Sequence, residues 1–449
     1  MNNALLREVR KYLYILTGIG LAAALTAVPC SSAFAQGDGV ILEMEKKDVS
    51  NTALDAAWPQ GPEISSISAI VIEENTGTVL YEKNAGDKLL PSSSVKIMTC
   101  LVALEHSSLE DEVVMTNTGV AGVTDGGASI SAQIDEVFTM EQCLYAIMLA
   151  SANDMALQVA EHIGGSVDAF VKMMNEKAAD LGCQSTHFVN PTGLPGEGQE
   201  TTAHDLALIM KAAMDIPTFY RIASSVSYTI PATNLSGGSR VMTNMFTMIN
   251  PGSGCYYEAC TGGKEGYTYE SGSVLVCMAE KNDMKLTCAV MGGVAGSTDD
   301  EAASLLDFCF NSFKLYDPGK SDFSVVSGGQ VVIPAEFSSK DVTYQDAERE
   351  DGLLDRVYFA GSIPVGHAVA QAPEVQDDTL YKEGQKHMEE ALAYSESHSS
   401  VPYVLIAIGG VALLAILGRL LYKTLSKKPQ NPEDPGDPGD FGNIGNIGV

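Results

Sequence analysis

The chain has 449 residues, 45% of them hydrophobic, and a formal net charge of −30 at pH 7. Its length suggests two or three domains with a sizeable core. Its acidity excludes a phosphate-binding surface, which needs a basic face, so nucleic acid is not expected as a partner.

Arg7, Arg10 and Lys11 precede an apolar run over 12–29, and Ala33 and Ala35 place small residues ahead of a cleavage point before Gln36. This layout predicts a signal peptide over 1–35. Residues 36–60 are polar and irregular and read as a leader arm. A strand at 68–72, a turn at Asn75-Thr76-Gly77 and a returning strand at 79–81 follow. The stretch from about 93 to 225 is helix-rich. Strand-like runs return at 273–278 and 286–291, then an apolar helix at 302–313. Strands at both ends of a helical middle predict an α/β (α+β) domain over 61–316, with one antiparallel sheet built from distant segments.

Asp317-Pro318-Gly319 breaks that pattern, and 317–374 reads as a small all-β domain of short strands such as 330–333. Residues 375–400 are acidic and suit a stalk. Residues 401–418 carry no charge, and with Leu420, Leu421 and Tyr422 the run reaches 422. About 20 apolar residues suffice to cross ~30 Å of hydrocarbon, so a transmembrane helix is expected at 401–422. Lys423, Lys427 and Lys428 mark its cytoplasmic side. The Pro-Gly-Asp repeats of the tail, 423–449, build no core and predict disorder. The chain is therefore expected to be single-pass, with its large domain outside the cell. Of nine cysteines only Cys30 lies in the predicted signal peptide. The rest permit disulfides, and Cys255 and Cys260 are close enough in sequence to pair; the alternative is small buried hydrophobes. No CxxC pair and no Cys/His cluster has zinc spacing.

The segment Pro91-Ser92-Ser93-Ser94-Val95-Lys96 opens a helix, and Ser93 and Lys96 share one face of it. A serine hydroxyl becomes a useful nucleophile only when a neighbour takes its proton. A lysine does so only as a neutral amine, which burial and nearby cations favour. Alone, such a pair also fits a capping serine beside a surface lysine. Two further elements follow in order. Ser151-Ala152-Asn153 ends an apolar run and could equally cap a helix. Lys264-Glu265-Gly266-Tyr267-Thr268 precedes a strand-like run and could equally be a charged turn.

The order SxxK, SxN, KxG resembles that of the low-molecular-weight penicillin-binding proteins, the serine-type D-alanyl-D-alanine carboxypeptidases, whose third motif is KTG. The resemblance covers roughly 60–315 and includes 76–81, 160–166, 186–194 and 202–205, which look like scaffold and cleft walls. It implies a penicillin-binding/β-lactamase-like domain that removes the terminal D-alanine from peptidoglycan stem peptides through an acyl-enzyme. Ser93 would be the nucleophile and Lys96 its base, with Ser151 and Lys264 relaying the proton to the leaving amine. Asn153 would bind the substrate amide, Gly266 and Thr268 would line the cleft, and the N–H groups of Ser93 and Tyr267 would form the oxyanion hole. β-Lactams would inhibit, and no metal or cofactor is implied.

One position departs from the pattern. Glu265 stands where the family has a threonine that helps hold the substrate carboxylate. Repulsion there would be ~1–4 kcal/mol at 4 Å for effective dielectric constants from 80 to 20. A catalytically impaired wall-binding homologue is therefore an alternative reading. A class A β-lactamase is another, although Ala152 stands where that class has an aspartate and no ExxLN loop occurs.

Overall fold

The computed structural model describes residues 57–123, 127–320 and 324–371, all within the unit spanning Gly39–Ala372. The predicted signal peptide, stalk, transmembrane helix and tail, with most of the leader arm, lie outside the described residues. Among the described residues no helix is long and apolar enough to cross a membrane.

Strand β1 (Ser68–Glu73) is buried at every position, as befits a strand covered on both faces. It pairs with β2 (Val79–Lys83) through the predicted turn, and with β9, more than 200 residues away in sequence. Two short hairpins lie between: β3 (Glu112–Val114) with β4 (Val137–Thr139), and β5 (Ser227–Ile230) with β6 (Arg240–Thr243). Strands β7 (Cys260–Thr268), β8 (Gly272–Lys281) and β9 (Met284–Gly293) complete a five-stranded antiparallel sheet of order β2-β1-β9-β8-β7. The antiparallel sheet from distant segments is thus present.

Alternation along the strands feeds two cores. Ile70, Ile72, Val274, Val276, Ala289 and Met291 join the helical side. Ala69, Val71, Leu275, Cys277, Cys288 and Val290 join the opposite side. The helical side comprises α1 (Val95–His106), α2 (Asn117–Ala121), α3 (Met140–Leu149), α4 (Asn153–Gly164), α5 (Val167–Asp180), α6 (Ala203–Met214) and α7 (Pro217–Ala223). A capping box at Thr139 and Gln142 starts α3, and left-handed Gly165 ends α4. The other face is covered by α8 (Thr298–Ser312), whose Ala302, Leu305, Leu306 and Cys309 are buried.

The C-terminal β part begins earlier than the breaker at Asp317 suggests. Strand β10 (Phe313–Tyr316) pairs with β12 (Val331–Pro334). Strand β11 (Val325–Gly328) joins β13 (Val342–Glu348), β14 (Leu353–Ala360) and β15 (Ile363–Gln371) in a sheet of order β11-β15-β14-β13. Trp58, the chain's single tryptophan, packs on Phe313 with ring centroids 5.1 Å apart, and it touches both the α8-side core and the β-part core.

The possible Cys255–Cys260 disulfide is corrected. All eight cysteines among the described residues are free. Cys260 instead points toward Cys277 across β7 and β8, with its Sγ 3.8 Å from the Gly262 carbonyl. Cys100, Cys143, Cys277, Cys288 and Cys309 are buried among apolar side chains, the behaviour of small hydrophobes.

Leu306 is fully buried beneath the sheet. Leu306→Ala is expected to cost about 2–5 kcal/mol of stability. Urea unfolding followed by Trp58 fluorescence should show a lower midpoint at unchanged slope.

Candidate active site

A 3-10 turn, Ser92–Ser94, leads directly into α1. Ser94 Oγ donates to the Pro91 carbonyl at 2.7 Å and pins the turn. Ser92 takes a left-handed φ of 51°, costly for a residue with a Cβ. The strained turn leaves Ser93 partly exposed at the mouth of a cleft of about 490 Å³, a size suited to a small ligand.

Lys96 lies under that cleft with no exposed surface. Its Nζ stands 3.2 Å from Ser93 Oγ and donates to the Thr192 carbonyl at 2.6 Å. Burial, then the nearby Lys264 cation, holds its pKa well below the ordinary lysine value. A neutral amine can give one hydrogen to Thr192 O and keep its lone pair for the Ser93 proton. The predicted contact across one helical turn is therefore present.

Ser151 and Asn153 sit where α3 gives way to α4. Ser151 has φ 54°, and the α4 N-cap, Ala152, has no side-chain cap bond, so a capping role does not describe this motif. Both residues are 4% exposed and line the cleft. Asn153 donates its backbone N–H to Ala128 O at 2.8 Å, while its Oδ1 is buried without a partner among the described residues. Behind it, Asp154 Oδ2 accepts from Ser129 Oγ at 2.6 Å and holds the segment that carries Gly127 and Ala128 to the cleft rim.

The third motif is not a turn. It is part of β7, the nine-residue edge strand of the main sheet. Lys264 is 1% exposed and donates to the Glu265 carbonyl at 2.8 Å. Burial brings its pKa down to about 8, against the pull of the Glu265 carboxylate. Gly266 lets the strand approach the nucleophile, because a Cβ there would lie 2.5 Å from Ser93 N and 2.8 Å from Ser92 Oγ. Tyr267 exposes its ring. Glu265, Gly266, Tyr267 and Thr268 line the cleft with Ser93, Ser151 and Asn153, whereas Lys96 and Lys264 form a buried floor.

Sequence reasoning assigned 186–194 to scaffold and cleft walls; Gly193 and Leu194 line the cleft, and the loop also reaches Lys96 through its backbone. Asn190 Oδ1 accepts from Thr192 N, Thr192 Oγ1 and Gly193 N at 3.1, 2.9 and 2.8 Å. That turn presents Thr192 O to Lys96, and Thr99 Oγ1 fixes the adjacent Pro191 O at 2.7 Å. The signal was local, since Asn-Pro-Thr-Gly is strong turn chemistry. Its target, a lysine almost 100 residues earlier, was not. Asp299 at the start of α8 was also missed. It lines the cleft, is 8% exposed, and its buried Oδ1 has no hydrogen-bond partner among the described residues.

Comparison with known proteins gives one consistent result. The family model for D-alanyl-D-alanine carboxypeptidase, Peptidase S11, matches residues 55–295. The D-alanyl-D-alanine carboxypeptidase DacF of Bacillus subtilis is 32% identical over 67% of this chain and 71% of its own length. DacB2 of Mycobacterium tuberculosis is 34% identical over 56% of this chain and 84% of its own. The crystal structure of a Mycobacterium tuberculosis D-alanyl-D-alanine carboxypeptidase matches with a TM-score of 0.51 and 31% identity, covering 58% of this chain and 94% of that one. The mixed α/β penicillin-binding-like fold of the main domain is thereby shared.

Gly193 has φ 84°, and a Cβ there would lie 1.8 Å from Ser92 O. Gly193→Ala should displace the nucleophile's turn. A shift of ~1 Å can cost ~100-fold in rate. Acylation of Ser93 by a β-lactam, followed by mass spectrometry, should slow by at least that factor while the circular dichroism spectrum stays native.

Proposed function

The chain belongs to the D-alanyl-D-alanine carboxypeptidase family, a family of serine peptidases, and we propose that the Ser93 cleft performs its reaction. The substrate is the D-alanyl-D-alanine end of a peptidoglycan stem peptide. The observation that carries this assignment is the Lys96 amine, enclosed and 3.2 Å from Ser93 Oγ.

The geometry supports the following steps. Ser93 Oγ attacks the carbonyl carbon between the two D-alanines, and its proton passes to Lys96 Nζ. Charge developing on the carbonyl oxygen is met by the N–H groups of Ser93 and Tyr267. The Tyr267 group is available because β7 is an edge strand: Glu265 O turns toward the Lys264 amine, and strand alternation aims the N–H two residues on to the same side. One such donor contributes ~100- to 1000-fold in rate. Asn153 Oδ1, without a partner among the described residues, accepts an amide N–H of the peptide. The C–N bond breaks, a proton reaches the departing nitrogen by way of Ser151 with Lys264 beside it, and D-alanine leaves. Water then attacks the Ser93 ester and frees the shortened peptide and the enzyme. A β-lactam offers its strained amide to the same oxygen and remains as an ester.

The enzyme acts outside the cell on this reading, held by a single membrane helix. Support comes from the signal-like N-terminus and the charge-free run 401–418 with lysines immediately after.

Wild-type protein should release D-alanine from a peptide ending in D-alanyl-D-alanine. Ser93→Ala should release none, and Lys96→Met should be slower by ~100- to 10,000-fold. Retention of activity by Ser93→Ala, with the protein folded, would refute the assignment.

A further inference from the structure

The floor and the lining of the cleft have opposite chemistry. Beneath Ser93 lie two buried lysines. Two carboxyl groups, Glu265 and Asp299, line the cleft itself, and among the described residues no lysine or arginine lines it. Asp299 is more than nine-tenths buried; Thr247 bonds its carboxyl group, and among the described residues its Oδ1 has no hydrogen-bond partner. Strand alternation separates Glu265 from Lys264 and Gly266, which face Ser93, and turns it to the α8 side beside Leu275. The groups around it are few. Its own strand supplies Lys264, and α8 supplies Asp299 followed by Asp300. Thr247 and Ser273 line the cleft without charge, and Lys96 and Cys100 lie on the helical side of the sheet. The first turn of α8 already carries three acids, so its dipole is offset by its own side chains.

We propose that Glu265 and Asp299 form an acidic specificity subsite. It accepts a substrate's terminal carboxylate only together with a proton on Glu265, and it accepts a terminal carboxamide without one. The idea rests on the Ser93 assignment above. Two carboxylates in a half-buried space disfavour a third. A protonated Glu265 can instead donate a hydrogen bond to the incoming carboxylate, whereas an amide brings its own donors to both side chains. The electrostatics agree: burial, then the Asp299 charge, raises the Glu265 carboxyl to about 7 despite Lys264.

The sign follows directly. Below pH 7 Glu265 already carries the proton, so carboxylate binding is independent of pH. Above it, up to the region near pH 8 where Lys264 also loses its proton, each unit should weaken that binding by up to about tenfold, while carboxamide binding stays flat. A merely structural glutamate would not separate the two ligands.

The test uses one stem-like peptide in two forms, ending in D-alanyl-D-alanine or its carboxamide, between pH 5.5 and 9. KM is read for wild type, and Kd by calorimetry for Ser93→Ala, which needs no turnover. The expected result is a carboxylate KM and Kd that rise above pH 7 and a carboxamide KM and Kd that do not. Glu265→Gln should abolish the difference, and Asp299→Asn should move its onset to lower pH. Parallel pH profiles for the two ligands, or a carboxylate profile unchanged by Glu265→Gln, would overturn the proposal. Failure of the catalytic reading looks different: no turnover of either peptide by wild type, whatever the binding profiles.

Discussion

Two lysines are buried under one cleft, and the architecture around them disfavours a charge on Lys96 beside Ser93. Lys96 begins a helix near the start of the domain, and Lys264 lies in an edge strand some 170 residues later. Burial disfavours the charged form of each, and the charge on Lys264 pushes Lys96 further. This arrangement opposes folding where both lysines are protonated in the unfolded chain. Lys264 binds fewer protons folded than unfolded, so its contribution grows more favourable as pH rises from about 8 towards 10.5. The surrounding structure must offset that cost. It does so with apolar cores on both faces of the sheet and with backbone carbonyls supplied to each amine: Thr192 O to Lys96 and Glu265 O to Lys264.

The chemical motifs were legible in the sequence because they are short and carry rare combinations of residues. Ser93 and Lys96 could be paired from helical spacing alone. The central sheet was legible too, since β1, β8 and β9 are apolar runs bounded by turns. What escaped was an interrupted strand and contacts made through the backbone. The strand β7 is interrupted by Gly262, Gly263 and Gly266, which lower strand propensity. Two of those glycines exist because other groups press close: the Phe246 ring against Gly263, and Ser93 against Gly266. The Thr192 carbonyl carries no side-chain signature at all. The early start of the β part was hidden because Phe313–Tyr316 runs on directly from α8 with no breaker between them.

Glu265 joins both themes. Its backbone carbonyl takes the Lys264 amine, while its side chain turns to the opposite face of the sheet and the acidic lining of the cleft. A single residue therefore bonds one of the two floor lysines and adds a carboxyl group to the cleft wall. The sequence marked it as a departure from the motif and a source of repulsion; the structure adds a second carboxyl group, Asp299, to the same cleft.

The central claim is that Lys96 is a neutral amine in the resting enzyme. Nitrogen NMR of protein labelled at lysine, with the Lys96 signal identified by its loss in Lys96→Arg, measures this directly. The account predicts titration well below the ordinary lysine value of 10.5, and an upward move when Lys264→Met removes the neighbouring charge. A Lys96 signal that titrates at the ordinary value in the folded protein, indifferent to Lys264, would contradict it.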